Sequence, residues 1–325
     1  MADIIAIAGA NLLSPVILCF VLGLAAALAR SDLTVPEAAA KAMSIYLLFS
    51  IGFKGGTSVA AHGMEGRLVA TIAAGVILSF LLPFIAFGLL RVMTRLTRLD
   101  AAAVAAHYGS ISIVTFVAAT SVLEGRGIAA EGYMVAVAAA MEAPAILSAL
   151  WIVSRGGGPR EADSGLMREI LLNGSIVLLV GSFVIGLVTG EQGMARISSF
   201  IVAPFQGVLC LFLLDMGLVA GRGLRGQRGV LGGGVVAFGI LMPLVGATLG
   251  AVAGLVIGLS AGGLALLMVL GASASYIAVP AAMRVALPEA NPSIYLTLSL
   301  GVTFPFNLTL GIPIYVAVAE RLGGM

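Results

Sequence analysis

Long apolar runs, separated by short clusters of charge, glycine and proline, dominate the chain. Dividing it at that punctuation predicts ten helices, at roughly residues 5–29, 37–56, 67–91, 101–123, 132–154, 168–189, 197–221, 228–258, 262–286 and 292–319. Each is near or above the ~20 residues that cross about 30 Å of hydrocarbon. Two of the runs carry the same kind of interruption, about 163 residues apart. One is His107-Tyr108-Gly109-Ser110-Ile111-Ser112 and the other Gly271-Ala272-Ser273-Ala274-Ser275. After each come an apolar run, a loop with an acidic residue, and an apolar segment with an internal proline, Pro144 or Pro305. Broken helices at matching places in two halves of a membrane chain point to a transporter's binding site.

Composition agrees with lipid as the solvent. Hydrophobic residues make up 60% of the chain and charged residues 10%, against about 25% charged in a soluble domain. No basic residue precedes the first apolar run, so that run is expected to remain as a span and not to act as a cleaved leader. Cys19 and Cys210 both fall inside apolar segments and read as small packing residues. The net charge of +2 implies no nucleic-acid partner; the basic residues serve topology. Odd-numbered loops and their borders hold twelve lysines and arginines, among them Arg91, Arg95, Arg98 and Arg284. Even-numbered loops and the C-terminal tail hold five: Lys54, Arg67, Arg126, Arg196 and Arg321. The positive-inside rule therefore predicts odd loops in the cytoplasm and both termini outside. Residues 1–154 form a first repeat of five spans, 155–167 a cytoplasmic linker, and 168–325 a second repeat. Five spans per half place the halves in opposite orientations, an inverted repeat. The match extends to Ile51-Gly52-Phe53 against Met216-Gly217-Leu218.

Candidate chemistry follows from the breaks. Half-helix N-termini offer bare N–H groups and a positive dipole end to an anion. Ser110, Ser112, Ser273 and Ser275 add hydroxyls, and Gly109 and Gly271 allow close backbone approach; small residues also simply allow tight helix crossing. Ile111, Ala272, Ala274 and Tyr276 complete the two segments, Tyr276 as a wall or an O–H donor. Glu142 is an ionisable group deep in the fifth span, where such groups face a partner or a cavity. It reads either as a cation or proton site or as a protonated acid in one interhelical hydrogen bond. Thr303 and Asn307 stand at the equivalent place in the second half, and Thr115 follows the first break; all three offer oxygen to a cation. Asp215 has three candidate partners: a cation, Lys54 or helix backbone. His107 reads as a hydrogen-bonded packing residue or a proton relay. Gly246, Gly250, Gly254 and Gly258 recur every four residues and predict a smooth packing face. The string Gly258-Leu259-Ser260-Ala261-Gly262 lies between two spans, not at the strand-to-helix elbow of a hydrolase. With no metalloprotease, phosphate-loop or dithiol motif, the chain does not read as an enzyme and calls for no cofactor.

The stretches Ala290-Asn291-Pro292-Ser293-Ile294-Tyr295 through Gly311-Ile312-Pro313, Ser273-Ala274-Ser275 through Pro280 and Arg284, Ile51-Gly52-Phe53-Lys54-Gly55-Gly56, and Gly109-Ser110-Ile111-Ser112 carry a further likeness. Together they resemble the SbtA-like family of sodium-dependent bicarbonate transporters, first known from cyanobacteria. The resemblance implies a ten-helix inverted-repeat carrier similar in fold to bile-acid symporters. Spans 3–5 and 8–10 would form a transport core that slides as an elevator against a scaffold of spans 1–2 and 6–7, within a homotrimer. It also implies bicarbonate and sodium as cargo, and a PII-like cytoplasmic regulator as partner. Ser112 and Thr115 agree with the family pattern, and Glu142 stands where the family has aspartate. Tyr276 replaces an aspartate, Ala278 and Val279 replace a serine and a glycine, and Ile113 and Val114 replace small or hydroxyl residues.

The sequence thus predicts an all-α, multi-pass protein of the bacterial inner (plasma) membrane that carries a small anion, bicarbonate first, by alternating access. Residues 109–112 and 271–276 would bind the anion, and Glu142, Thr115, Thr303 and Asn307 any coupled sodium ion or proton. The alternatives are a proton-coupled carrier of another organic anion, and a non-transporting sensor that retains the fold.

Overall fold

A computed structural model describes residues 13–62, 66–154, 174–226, 232–276 and 289–323, with positions 279, 280, 283 and 287 between the last two. The proposed linker 155–167, both extreme termini, Ala278 and Arg284 lie outside the described residues. Among those described, all regular structure is helical. Six helices are long and apolar enough to cross a membrane, and three shorter apolar helices accompany them.

The helices start and stop where local chemistry directs. Helix α1 (Pro15–Leu28) opens on Ser14, whose hydroxyl accepts from the Ile17 N–H, with Pro15 at the first helical position, where its missing N–H costs nothing. Helices α2 (Glu37–His62) and α3 (Gly66–Met93) follow. Thr97 caps α4 (Arg98–Gly109), and Ser112 caps α5 (Ile113–Gly125). The fifth predicted span is two helices, α6 (Met134–Ala140) and α7 (Glu142–Ser154), hinged at Met141. The Met141 carbonyl accepts a hydrogen bond from Ser79 on α3.

In the second half, α8 (Gly174–Ile201) corrects a predicted boundary. The chain kinks at Gly190 (φ 56°) and stays helical to Ile201, and α9 (Phe205–Gly226) starts only after Pro204. Residues 197–201 therefore belong to the segment before α9, not to the seventh span. The positive φ at Gly190 is a conformation that other residues adopt only with strain. Helix α10 (Gly233–Ile257) ends on Gly258, left-handed at φ 76°, and Ser260 caps α11 (Ala261–Ala272). The Glu131 carboxylate accepts from both the N–H and the hydroxyl of Ser260, at 2.8 Å each, and ties this turn to the loop before α6. Helix α12 (Pro292–Leu322) contains two wide π-helical stretches, Ser299–Thr303 and Asn307–Gly311, on either side of Phe304–Phe306. Pro305 lies between them and supplies no N–H to the helix ladder.

Glycine decides how closely these helices pair. Helix α1 lies along α9 and α2 along α8. A Cβ added to Gly23 would overlap the Leu214 carbonyl, and one at Gly217 the Phe20 carbonyl. The other pair behaves alike: Gly186 sits on the Phe53 carbonyl, and Gly56 on the Phe183 carbonyl. Gly246 and Gly250 likewise seat α10 against the backbone of Gly271 and Leu267 in α11. The four-residue glycine stripe thus packs within this chain, except that Gly258 serves as a helix cap.

Burial sorts the helices by surroundings. The most apolar window of the span Arg98–Gly125 is 94% buried, that of Val177–Ile201 only 17%. The broken fourth span is therefore enclosed by protein, as interrupted backbone at membrane depth must be, while α8 presents its apolar face outward.

Gly246→Val drives new atoms into the Gly271 backbone and is expected to lower stability by about 1–3 kcal/mol, read as a drop in melting temperature in detergent. Gly88→Ala places its Cβ in open space and is expected to leave the melting temperature unchanged. Equal behaviour of the two variants would contradict the packing described.

Candidate functional site

The two predicted interruptions are present, buried, and joined to each other. Helix α4 stops at Gly109; Ser110 (ψ 157°) and Ser112 (ψ 107°) are extended before α5 begins. Helix α11 stops at Ala272, and Ser273 turns extended (ψ 158°). The Ser275 N–H donates to the His107 carbonyl at 2.7 Å, so each break supplies what the other lacks. Ser110, Ser112, Ser273 and Ser275 are all buried, as are Ile111, Ala272 and Ala274.

The hydroxyls divide into two groups. Ser112 faces its own helix: its Oγ accepts from the Thr115 N–H at 3.2 Å and from the Thr115 hydroxyl at 2.9 Å. This cap satisfies one of the four free N–H groups of α5; those of Ile113 and Val114 have no intrahelical acceptor. Ser273 donates to the Val269 carbonyl at 2.6 Å, and the Ser275 Oγ is 3.5 Å from the Val279 N–H. Ser110 reaches outside its segment and donates to Oε2 of Glu142 at 2.7 Å. Glu142, at the start of α7, is 8% exposed, and forms no salt bridge among the described residues.

Thr303 and Asn307, on the two wide turns of α12, fasten that helix to both half-helices. The Thr303 hydroxyl donates to the Gly239 carbonyl at 2.7 Å, so the 2.6 Å contact with Tyr108 has the tyrosine as donor. The Asn307 Nδ2 donates to the Ala272 carbonyl at 2.8 Å, and its Oδ1 accepts from the Tyr315 hydroxyl at 3.0 Å. Asn307 thereby satisfies one of the carbonyls that the end of α11 leaves free. The structure thus links Thr303, Asn307 and the first and second breaks into one hydrogen-bonded unit. It places Glu142 on that unit through Ser110 and Thr115 through Ser112.

Tyr276 meets Phe304 edge-on at 5.4 Å, and Phe304 in turn meets Phe20 of α1 at 5.3 Å. The Tyr276 hydroxyl is buried and has no hydrogen-bond partner among the described residues. His107 donates from Nδ1 to the Ala103 carbonyl at 2.7 Å and stacks on Tyr295 at 4.4 Å; its backbone carbonyl, not its ring, joins the breaks. Asp215 is buried but does not pair with Lys54, which instead reaches Glu124 at 3.4 Å. Sequence reasoning assigns no role to Tyr108, Ser79 or Tyr315. Each acts through a contact far along the chain or, for Tyr315, eight residues back along its own helix, and only the position of Tyr108 beside Gly109 marks it in the sequence.

Chemically the region offers backbone N–H groups and hydroxyls beside one buried carboxylate, a set suited to a small oxyanion and a cation or proton. Among the described residues no three His, Cys, Asp or Glu side chains gather as metal ligands. A search of curated proteins finds no match. The family model of the Na+-dependent bicarbonate transporter superfamily matches residues 15–320. That span covers nearly the whole chain and includes both breaks, Glu142 and the wide turns of α12, and with it the chain belongs to the Na+-dependent bicarbonate transporter superfamily.

Proposed function

We propose that the protein is a secondary active carrier that takes up a small oxyanion, bicarbonate first, together with sodium. The observation that carries this reading is the hydrogen bond from Ser275 N–H to the His107 carbonyl. It brings two interrupted, buried helices to one point, where half-helix ends and hydroxyls face an anion. Residues 109–112 and 271–276 bind the anion in this reading. Glu142 supplies the charge for the coupled cation, with Thr115, Thr303 and Asn307 as further oxygen donors. Thr303 and Asn307 already hold protein partners, so they would give a cation their remaining lone pairs.

The mechanism we favour is an elevator. Gly23 and Gly186, and likewise Ser110 and Ser273, are 163 residues apart, and each pair makes equivalent contacts or breaks in its half. That equivalence supports an inverted repeat with α1, α2, α8 and α9 as scaffold and the remaining helices as the moving core. The outward apolar faces of the scaffold would meet lipid and, in a trimer, other copies. Proton coupling is the second reading, favoured by the Ser110–Glu142 contact. A buried acid held by one hydroxyl and by no described basic side chain suits a proton as well as a cation.

Labelled-bicarbonate uptake into proteoliposomes is expected to rise with an inward sodium gradient and to fall about tenfold or more in Ser112→Ala plus Ser275→Ala. Part of that loss is structural, because removing the Ser112 cap costs about 1 kcal/mol; a melting measurement on the same variant separates it. Absence of bicarbonate flux under every gradient contradicts the substrate assignment.

Glu142→Gln retains an acceptor for Ser110 without the charge, and is expected to fold normally and lose gradient-driven accumulation. Uptake by wild type driven equally by a proton gradient without sodium would favour the second reading. Unchanged sodium-driven accumulation in Glu142→Gln removes Glu142 from coupling.

A further inference from the structure

Away from the two joined breaks, a cavity of about 200 Å³ lies between α2, the start of α9, α5 and the loop before α6. Its lining includes Lys54, Ser58, Thr120, Glu124, Glu131 and Phe205. Of the two carboxylates, Glu131 is already committed to capping Ser260. Glu124 is not: its contact is Lys54, whose ammonium also lies 4.7 Å above the Phe205 ring. Side-chain exposures of 24% for Lys54 and 49% for Glu124 put the pair in contact with water, where such bridges are weak and easily exchanged. The volume holds a small anion with several waters, each occupying about 30 Å³ in the liquid.

The two partners stand on different units. Lys54 and Phe205 belong to α2 and α9, whereas Glu124 ends α5, the helix that begins at the first break. A second polar contact, Gln206 Nε2 to Ser121 Oγ at 2.7 Å, crosses the same boundary. The charge distribution puts this end of the bundle outside. A carboxylate and bicarbonate share the same planar O–C–O⁻ group, so the Lys54 ammonium that donates to Glu124 can donate to bicarbonate in the same way.

We infer that Lys54 is an access site for carboxylate-like oxyanions at the mouth of the scaffold–core cleft, with Glu124 as its built-in competitor. The inference rests on the carrier reading for its purpose, but not for its chemistry. An arriving anion displaces Glu124 from Lys54, and in doing so frees α5 from α2. The Phe205 ring keeps the ammonium turned into the cavity when Glu124 leaves.

The two halves of the pair should therefore act with opposite sign. In proteoliposome uptake, Lys54→Gln is expected to raise the half-saturating bicarbonate concentration several-fold with the maximal rate retained. Glu124→Gln is expected to lower it, and Lys54→Arg to stay near wild type. An ion pair that merely braces the fold would shift both neutral variants in the same direction; that result, or no shift in either, overturns the inference. A second measurement needs no transport: acylation of the Lys54 amine by a water-soluble reagent, followed by mass spectrometry in detergent. In Glu124→Gln protein, sodium bicarbonate is expected to slow the labelling relative to sodium chloride at equal ionic strength. Equal labelling in the two salts overturns the inference. Absence of bicarbonate flux in the wild type, together with this protection in Glu124→Gln protein, would sink the carrier reading and leave the access site standing.

Discussion

The constraint on which this architecture depends is that hydrocarbon offers no partner to a peptide group. Every N–H and C=O at membrane depth must be satisfied inside the protein, at a cost of several kcal/mol when it is not. Interrupting a span is therefore tolerable only when something else supplies the missing bonds. Here the two interruptions supply them to each other, through Ser275 N–H and the His107 carbonyl. Part of the remaining demand is met by a third element: Asn307 donates to the Ala272 carbonyl, while Thr303 fastens the same helix to the Tyr108 side chain and to Gly239 of α10. The N–H groups of Ile113 and Val114, which have no acceptor among the described residues, are what an anion can use.

Close approach of backbones makes that arrangement possible. Gly109 sits against the Pro83 ring and the Ser79 carbonyl, and Gly271 against Gly246. Pro83 and Gly246 are 163 residues apart, the spacing that also separates the serines of the two breaks. One half thus fills with a proline ring the place that the other fills with bare backbone. Lipid gives helices no hydrophobic reason to associate, so van der Waals fit between such surfaces carries the packing. The same fit recurs where Gly23 and Gly186 meet their partner carbonyls.

Much of this was legible in the residues, and the limits were physical. The breaks announced themselves because small and hydroxyl residues interrupt apolar runs twice at one spacing. Glu142 stood out because a carboxyl at that depth needs a reason. Its partner Ser110 lies 32 positions away, and no periodicity encodes such a contact. The Lys54–Glu124 and Asn307–Tyr315 contacts were likewise invisible: the first spans 70 positions, and the second depends on wide turns that look helical in any pattern. The boundary before α9 was misplaced because residues 190–201 keep a helical composition, and only the positive φ of Gly190 marks the bend. Side chains that cap their own helix, such as Ser112, read in sequence like side chains that face a ligand.

A structure of the protein in lipid nanodiscs with sodium bicarbonate tests the central claim most directly. The account predicts non-helical backbone at 110–112 and 273–275, with the Ser275–His107 hydrogen bond intact and an anion density resting against these two segments. Continuous helices through either stretch, or an anion bound only elsewhere in the bundle, would contradict it.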